Sequence, residues 1–220
     1  MEDSIRHVLT PELGIHVVGE ERGGDAPSDG RPYWLVDPIC GTRNLASGIP
    51  LYCVNLALVE GGRVVVAVIG DVSTDEIHVA ERDRGAWALR DGARRQLSTT
   101  DESRTIVIEE GRSTGSRRER AARVTARAIR ADRWDIRSFS TTLALPYVAA
   151  GRVAAYVLYW ASALHAAAGS LVASEAGATV SDVDGRPWTL GSDSIIASAT
   201  PALHRALLEL ASEPGLTLQG

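Results

Sequence analysis

Apolar residues in the first hundred positions come in short runs separated by turn residues, a spacing that predicts strands more than helices. Residues 4–9 read as one short helix, and residues 14–18 as a strand running into Gly19-Glu20-Glu21. A loop rich in Gly, Asp and Pro follows over 22–32, and a second strand, 33–36, delivers Asp37 at its end. Apolar runs at 53–59, 63–69, 77–80 and 86–90 are broken by Glu60-Gly61-Gly62 and Asp91-Gly92. They predict a sheet of antiparallel neighbours.

After a strand at 105–108 the periodicity changes. Residues 116–131 place Ala and Val at helical spacing among many arginines, the pattern of an amphipathic helix with a solvated face. The remainder alternates: strand 134–137, helix 141–150 ended by Gly151, strand 153–158, helix 164–176 ended by Gly177, and strands 178–181 and 194–198. A last helix has Thr200 as N-cap, Pro201 in its first turn and Pro214 just past its end.

The length of 220 residues and 45% apolar content suffice for one domain spanning 1–220. A net charge of −5 argues against nucleic acid or an acidic membrane as partner and leaves a small molecule as the expected ligand. No apolar stretch reaches membrane-spanning length and Met1-Glu2-Asp3 is acidic, so a cytoplasmic protein is expected. Arginine replaces lysine throughout, as in the products of GC-rich bacterial genomes. Cys40, in a glycine turn, and Cys53, in an apolar strand, are expected to be reduced. His7, His16, His78 and His204 lack metal-ligand spacing, and the five tryptophans are scattered as packing residues are.

Three segments carry candidate chemistry: Gly19-Glu20-Glu21, Asp37-Pro38-Ile39-Cys40-Gly41-Thr42, and His165-Ala166-Ala167-Ala168-Gly169 followed by Glu175-Ala176-Gly177. Carboxylates handed to a glycine turn at a strand end suit a metal or an anion, because glycine lets backbone N–H groups approach closely. In this order the segments resemble the inositol monophosphatase family. Residues 34–45 match its W-x-x-D-P-x-D-G-T-x-N-F signature with Cys40 for the second Asp and Leu45 for Phe, and residues 164–169 match W-D-x-A-A-G.

The resemblance implies a layered αβαβα sandwich of α/β class, lacking the first N-terminal helix of the family. It also implies that Glu20, Asp37 and the Ile39 carbonyl correspond to one Mg²⁺ site, while Cys40 and His165 stand where a second Mg²⁺ takes aspartates. Thiolate and imidazole suit softer ions than Mg²⁺. No cofactor is therefore expected beyond, at most, one Mg²⁺ or Zn²⁺. Thr42 corresponds to a threonine that assists the attacking water, and the acid that partners it is missing, leaving Thr42 without a partner. Leu158 stands where animal inositol phosphatases carry a sugar-recognising Glu, and Ser140-Thr141 replace a Gly-Ser pair; with Gly41 and Thr42 these form the expected anion or substrate pocket.

Cys40 and His165 should therefore lie close together, and three readings follow. A repurposed enzyme would use Cys40, His165, Asp37, Glu20 and Thr42 for acid/base or covalent chemistry, such as cyclisation, dehydration or isomerisation in secondary metabolism. A residual phosphomonoesterase would keep one metal at Glu20, Asp37 and Ile39. A non-catalytic binding subunit would retain Cys40 and His165 as packing residues. The missing first helix should also uncover apolar surface, for which a homodimer is the expected remedy.

Overall fold

The computed structural model describes residues 1–212, the side chains of residues 10–13 excepted. Pro214, placed by its sequence beyond the last helix, lies outside the described residues. Helix α1 (Glu2–Leu13) leads into β1 (His16–Gly19) and β2 (Tyr33–Cys40); the short α2 (Thr42–Ala46) follows. Strands β3 (Cys53–Glu60), β4 (Arg63–Asp71), β5 (Glu76–Glu81), β6 (Gly85–Arg90) and β7 (Ala93–Gln96) complete a first sheet in chain order. Within it β1 and β2 are parallel and all later neighbours antiparallel.

The second half supplies β8 (Thr105–Glu109), α3 (Gly115–Ala131), β9 (Asp135–Arg137), α4 (Ala144–Ala149), β10 (Ala155–Leu158), α5 (Ala163–Glu175), β11 (Thr179–Ser181), β12 (Ile195–Ser198) and α6 (Pro201–Ser212). Its five strands form a second sheet in the order β11-β12-β10-β8-β9. Four apolar clusters define the layering. Ile5 and Leu9 of α1 pack on Trp34 and Val36 outside the first sheet. Helices α4 and α5 fill the space between the sheets. Helices α3 and α6 cover the far face of the second. This is the expected αβαβα sandwich, and no helix among the described residues is long and apolar enough to cross a membrane.

Four departures from the expected elements have local causes. Helix α1 is longer than residues 4–9, since Glu2 at its start is buried and hydrogen-bonded. Strand β2 runs through Asp37 to Cys40, with a register shift between those two residues around Pro38, which has no N–H to give. Cys40 is thus the last residue of a strand and not part of the turn. Strand β7 went unpredicted because all four of its residues are exposed and none is a large apolar one. Helix α4 begins at Ala144 instead of 141, because Thr141 and Thr142 turn their side chains to Cys40 and Ser140 adopts a left-handed φ of 55°. The N-cap at Thr200 is present, its hydroxyl accepting the Leu203 N–H at 3.2 Å.

The arginines of α3 make a solvated face as expected. Arg117, Arg118 and Arg120 pair with Asp193, Glu110 and Asp184. His78, given no role by its spacing, is fully buried between the first sheet and the central helices, 3.3 Å from Glu76. Burial outweighs the attraction of Glu76 and pushes its pKa down to about 4. Above the unfolded value of 6.5 the ring is neutral in both states and costs nothing. Below it the unfolded chain gains a proton that the folded one refuses until about pH 4. Stability is therefore expected to fall on acidification across that window, by on the order of 2–3 kcal/mol from this group. Urea unfolding at several pH values measures the slope, and His78→Asn should flatten it; equal slopes in the two proteins would refute the assignment.

Candidate functional site

A cavity of about 220 Å³ opens where the C-terminal ends of β1, β2, β8 and β10 meet the start of α5. Its wall includes Glu20, Ile39, Cys40, Gly41, Thr42, Ser140, Thr141, Leu158 and His165. All the residues singled out from sequence thus border one space except Asp37, which lies fully buried beneath it.

Glu20 follows β1, and its N–H bonds to the Val36 carbonyl, so the parallel pairing of β1 with β2 sets Glu20 beside Asp37. His165 comes from the first turn of α5. One carboxylate oxygen from each acid and one imidazole nitrogen lie within 4.8 Å of one another. His165 Nε2 is 3.7 Å from Glu20 Oε1, and its Nδ1 is 2.6 Å from Ser162 Oγ. Ser162 is the N-cap residue of α5 yet makes no side-chain cap bond, because its hydroxyl holds the imidazole instead. The Trp160 ring lies 5.7 Å from that of His165, centroid to centroid, and limits its swing.

Asp37 Oδ1 accepts the Ile39 N–H at 3.2 Å, and Asn55 Nδ2 is 3.5 Å from Oδ2. Burial, followed by the nearby charges of Cys40 and Glu20, pushes the Asp37 carboxyl far above the ordinary carboxylate range. Cys40 Sγ sits 3.0 Å from Thr142 Oγ1 and accepts the Thr142 N–H at 3.3 Å. The neighbouring Cys53 thiol, together with these Thr142 donors, pulls the Cys40 pKa down despite burial, while the same contact and burial push Cys53 up. The expectation that Cys40 meets His165 is met only in part: both line the cavity, but the sulfur is engaged by Thr142 and Cys53 and is not a member of the Glu20-Asp37-His165 group.

Thr42 is not without a partner. Its hydroxyl donates to the Ile39 carbonyl at 3.1 Å, occupying one of that oxygen's two lone pairs. Gly41 has φ 106°, and a Cβ there would stand 2.8 Å from the Leu51 carbonyl and 3.2 Å from Thr141 Cβ. Only glycine fits between the two loops. Glu175, in the motif that follows His165, is no ligand; it accepts the N–H groups of Asp83 and Gly85 at 2.9 Å and holds the turn between β5 and β6.

The sequence reading missed several cavity residues. Glu109 ends β8 opposite Leu158 of β10 and is buried, accepting the N–H groups of Phe139 and Ser140 and the Ser138 hydroxyl. Burial raises its pKa against these donors. Arg43 and Arg112 line the cavity without an ion pair among the described residues. A carboxylate at a strand end could have been read as chemical by the rule applied to Asp37, whereas isolated arginines give no signal.

The architecture agrees with the comparisons to known proteins. The model of the inositol monophosphatase family matches residues 1–215, and the chain belongs to that family. It is 35% identical over 202 residues to inositol-1-monophosphatase of Mesorhizobium japonicum, covering 91% of this chain and 75% of the relative. A protein of Xylella fastidiosa named Nus factor SuhB is 36% identical over 179 residues, 80% of this chain and 62% of that one. The crystal structure of the extragenic suppressor protein SuhB from Bartonella henselae superposes with a TM-score of 0.86 at 28% identity, covering 97% of this chain and 82% of that one.

A buried carboxyl beside other acids is a stability cost when no cation offsets it. Asp37→Asn preserves the shape and removes the titrating group. In cation-free buffer at pH 8 it should raise the melting temperature by roughly 3 °C or more, about 1 kcal/mol at this chain length. A lower melting temperature would mean that the ionised carboxylate is satisfied by its neighbours.

Proposed function

We propose that this member of the family is an enzyme that performs acid–base chemistry on a small anionic molecule bound in the cavity, and not Mg²⁺-dependent phosphate hydrolysis. The observation that carries this reading is the group itself: a fully buried Asp37 beside Glu20 and an imidazole fixed by Ser162. Environments that push neighbouring titratable groups apart assign an acid and a base. Asp37 is the proton donor and the Glu20–His165 pair the acceptor. Arg43 and Arg112, facing the cavity without carboxylate partners, suit an anionic group on the substrate. Such a site serves cyclisation, dehydration or isomerisation, each of which moves a proton from one atom of the substrate to another.

A second reading is favoured by the same three ligand atoms lying within 4.8 Å of one another. Two carboxylates and an imidazole fit one divalent ion of borderline softness, with the Ile39 carbonyl as a fourth donor. Bound there, the ion would supply Lewis-acid polarisation of a phosphoryl or carbonyl oxygen. Ser162 would then accept the Nδ1 proton, leaving Nε2 free to coordinate.

Phosphate release from a panel of phosphate monoesters, with and without Mg²⁺, separates the two. The expected result is no Mg²⁺-dependent turnover; strong turnover would sink the first reading. In cells carrying Asp37→Asn or His165→Asn, the same small-molecule product should disappear from metabolite profiles. Unchanged profiles in both would favour a non-catalytic subunit. A homodimer is also proposed: Ile77 and Leu89, cross-strand neighbours on the outer face of the first sheet, are 45% and 36% exposed and suit a second copy of the chain. Light scattering should give twice the chain mass of 23.4 kDa, and a monomer would overturn this.

A further inference from the structure

Glu2 lies far from the cavity in sequence and is the first residue of α1, yet its side chain is fully buried. Its Oε1 takes the Arg6 Nε at 2.7 Å, and its Oε2 takes the backbone N–H of Glu21 at 2.7 Å and of Arg22 at 3.3 Å. Arg6 completes the clasp, donating to the carbonyls of Val17 and Gly23, each at 2.9 Å. The carboxylate also fills the place where a side chain on residue 19 would begin: a Cβ on Gly19 would stand 2.1 Å from Oε1. Its three donors hold the pKa of Glu2 down although burial acts against them. It is an ionised group that ties the turn just after Glu20, while Arg6 joins Val17 before it to Gly23 beyond it.

We infer that Glu2 is the positioning residue for Glu20, setting through the Glu21 and Arg22 amides where the Glu20 carboxylate meets His165. The Glu20 side chain is partly exposed, and its carboxylate meets two groups of the cluster, Asp37 and, at 3.7 Å, His165. The backbone sets the point from which the carboxylate reaches both, and Glu2 holds that backbone. A salt bridge on the surface would contribute little to such precision. A buried carboxylate accepting two consecutive amides acts as an anion does in a backbone nest.

This rests on the Glu20–His165 contact of the proposed site, and one spectroscopic experiment separates the two. With ¹³C-labelled histidine there are five imidazole Cε1–H signals, and His165→Asn identifies that of His165. Glu20→Gln should shift the His165 signal. Glu2→Gln should shift it in the same direction by a smaller amount, and should add nothing in the Glu20→Gln background. If Glu20→Gln moves nothing, the contact itself is wrong. If Glu20→Gln acts while folded Glu2→Gln leaves the His165 signal unmoved, Glu2 has no positioning role. Should Glu2→Gln fail to fold, Arg6→Gln loosens the same clasp from its other side and is expected to give the partial shift; no shift there overturns the inference.

Discussion

Two sheets can share one layer of helix only if that helix is thin, and the fold depends on α5 meeting this demand. Ala166, Ala167, Ala168, Gly169 and Ala173 are buried along its length, some against the first sheet and some against the second. At Gly169 even a methyl group is too much, because a Cβ there would lie 2.3 Å from the Leu145 side chain of α4. A helix apolar all round is the mark of a fully enclosed element. Its position fixes the distance between the sheets and, at its N-terminal end, the depth at which His165 enters the cavity.

Much of this was readable in the chain. Alternation in β3 to β5 and helical spacing in α3 reflect the one-sided burial of each element, which a periodic pattern reports directly. Where that burial fails, the reading fails: β7 is exposed on every residue and left no pattern. Asp37, Glu20, Cys40 and His165 were legible as a group because the segments around them match one family. Their partners were not. Glu2, Glu109, Trp160 and Ser162 act through contacts with backbone or ring that no spacing encodes. The partners of the Cys40 sulfur were hidden for the same reason, since the loop that engages it lies a hundred residues downstream.

The cavity concentrates groups that oppose one another. Asp37 is buried without a counter-charge, Glu109 is buried beneath the 138–140 loop, and the Cys40 thiol is polarised by its neighbours. Burial of the Asp37 and Glu109 carboxyls does not favour the folded state. Sites of this kind persist when their strain serves a bound molecule.

Glu20 and Asp37 are delivered by neighbouring parallel strands, but His165 arrives from the other half of the chain on α5. No partly folded chain holding only one sheet presents all three. A ligand that requires the whole group therefore binds the completed fold alone, and at a hundredfold excess over its dissociation constant adds about 2.7 kcal/mol to native stability. The same arrangement makes such a ligand a reporter of folding: saturation would protect α5 and both sheets from exchange together, as one cooperative unit.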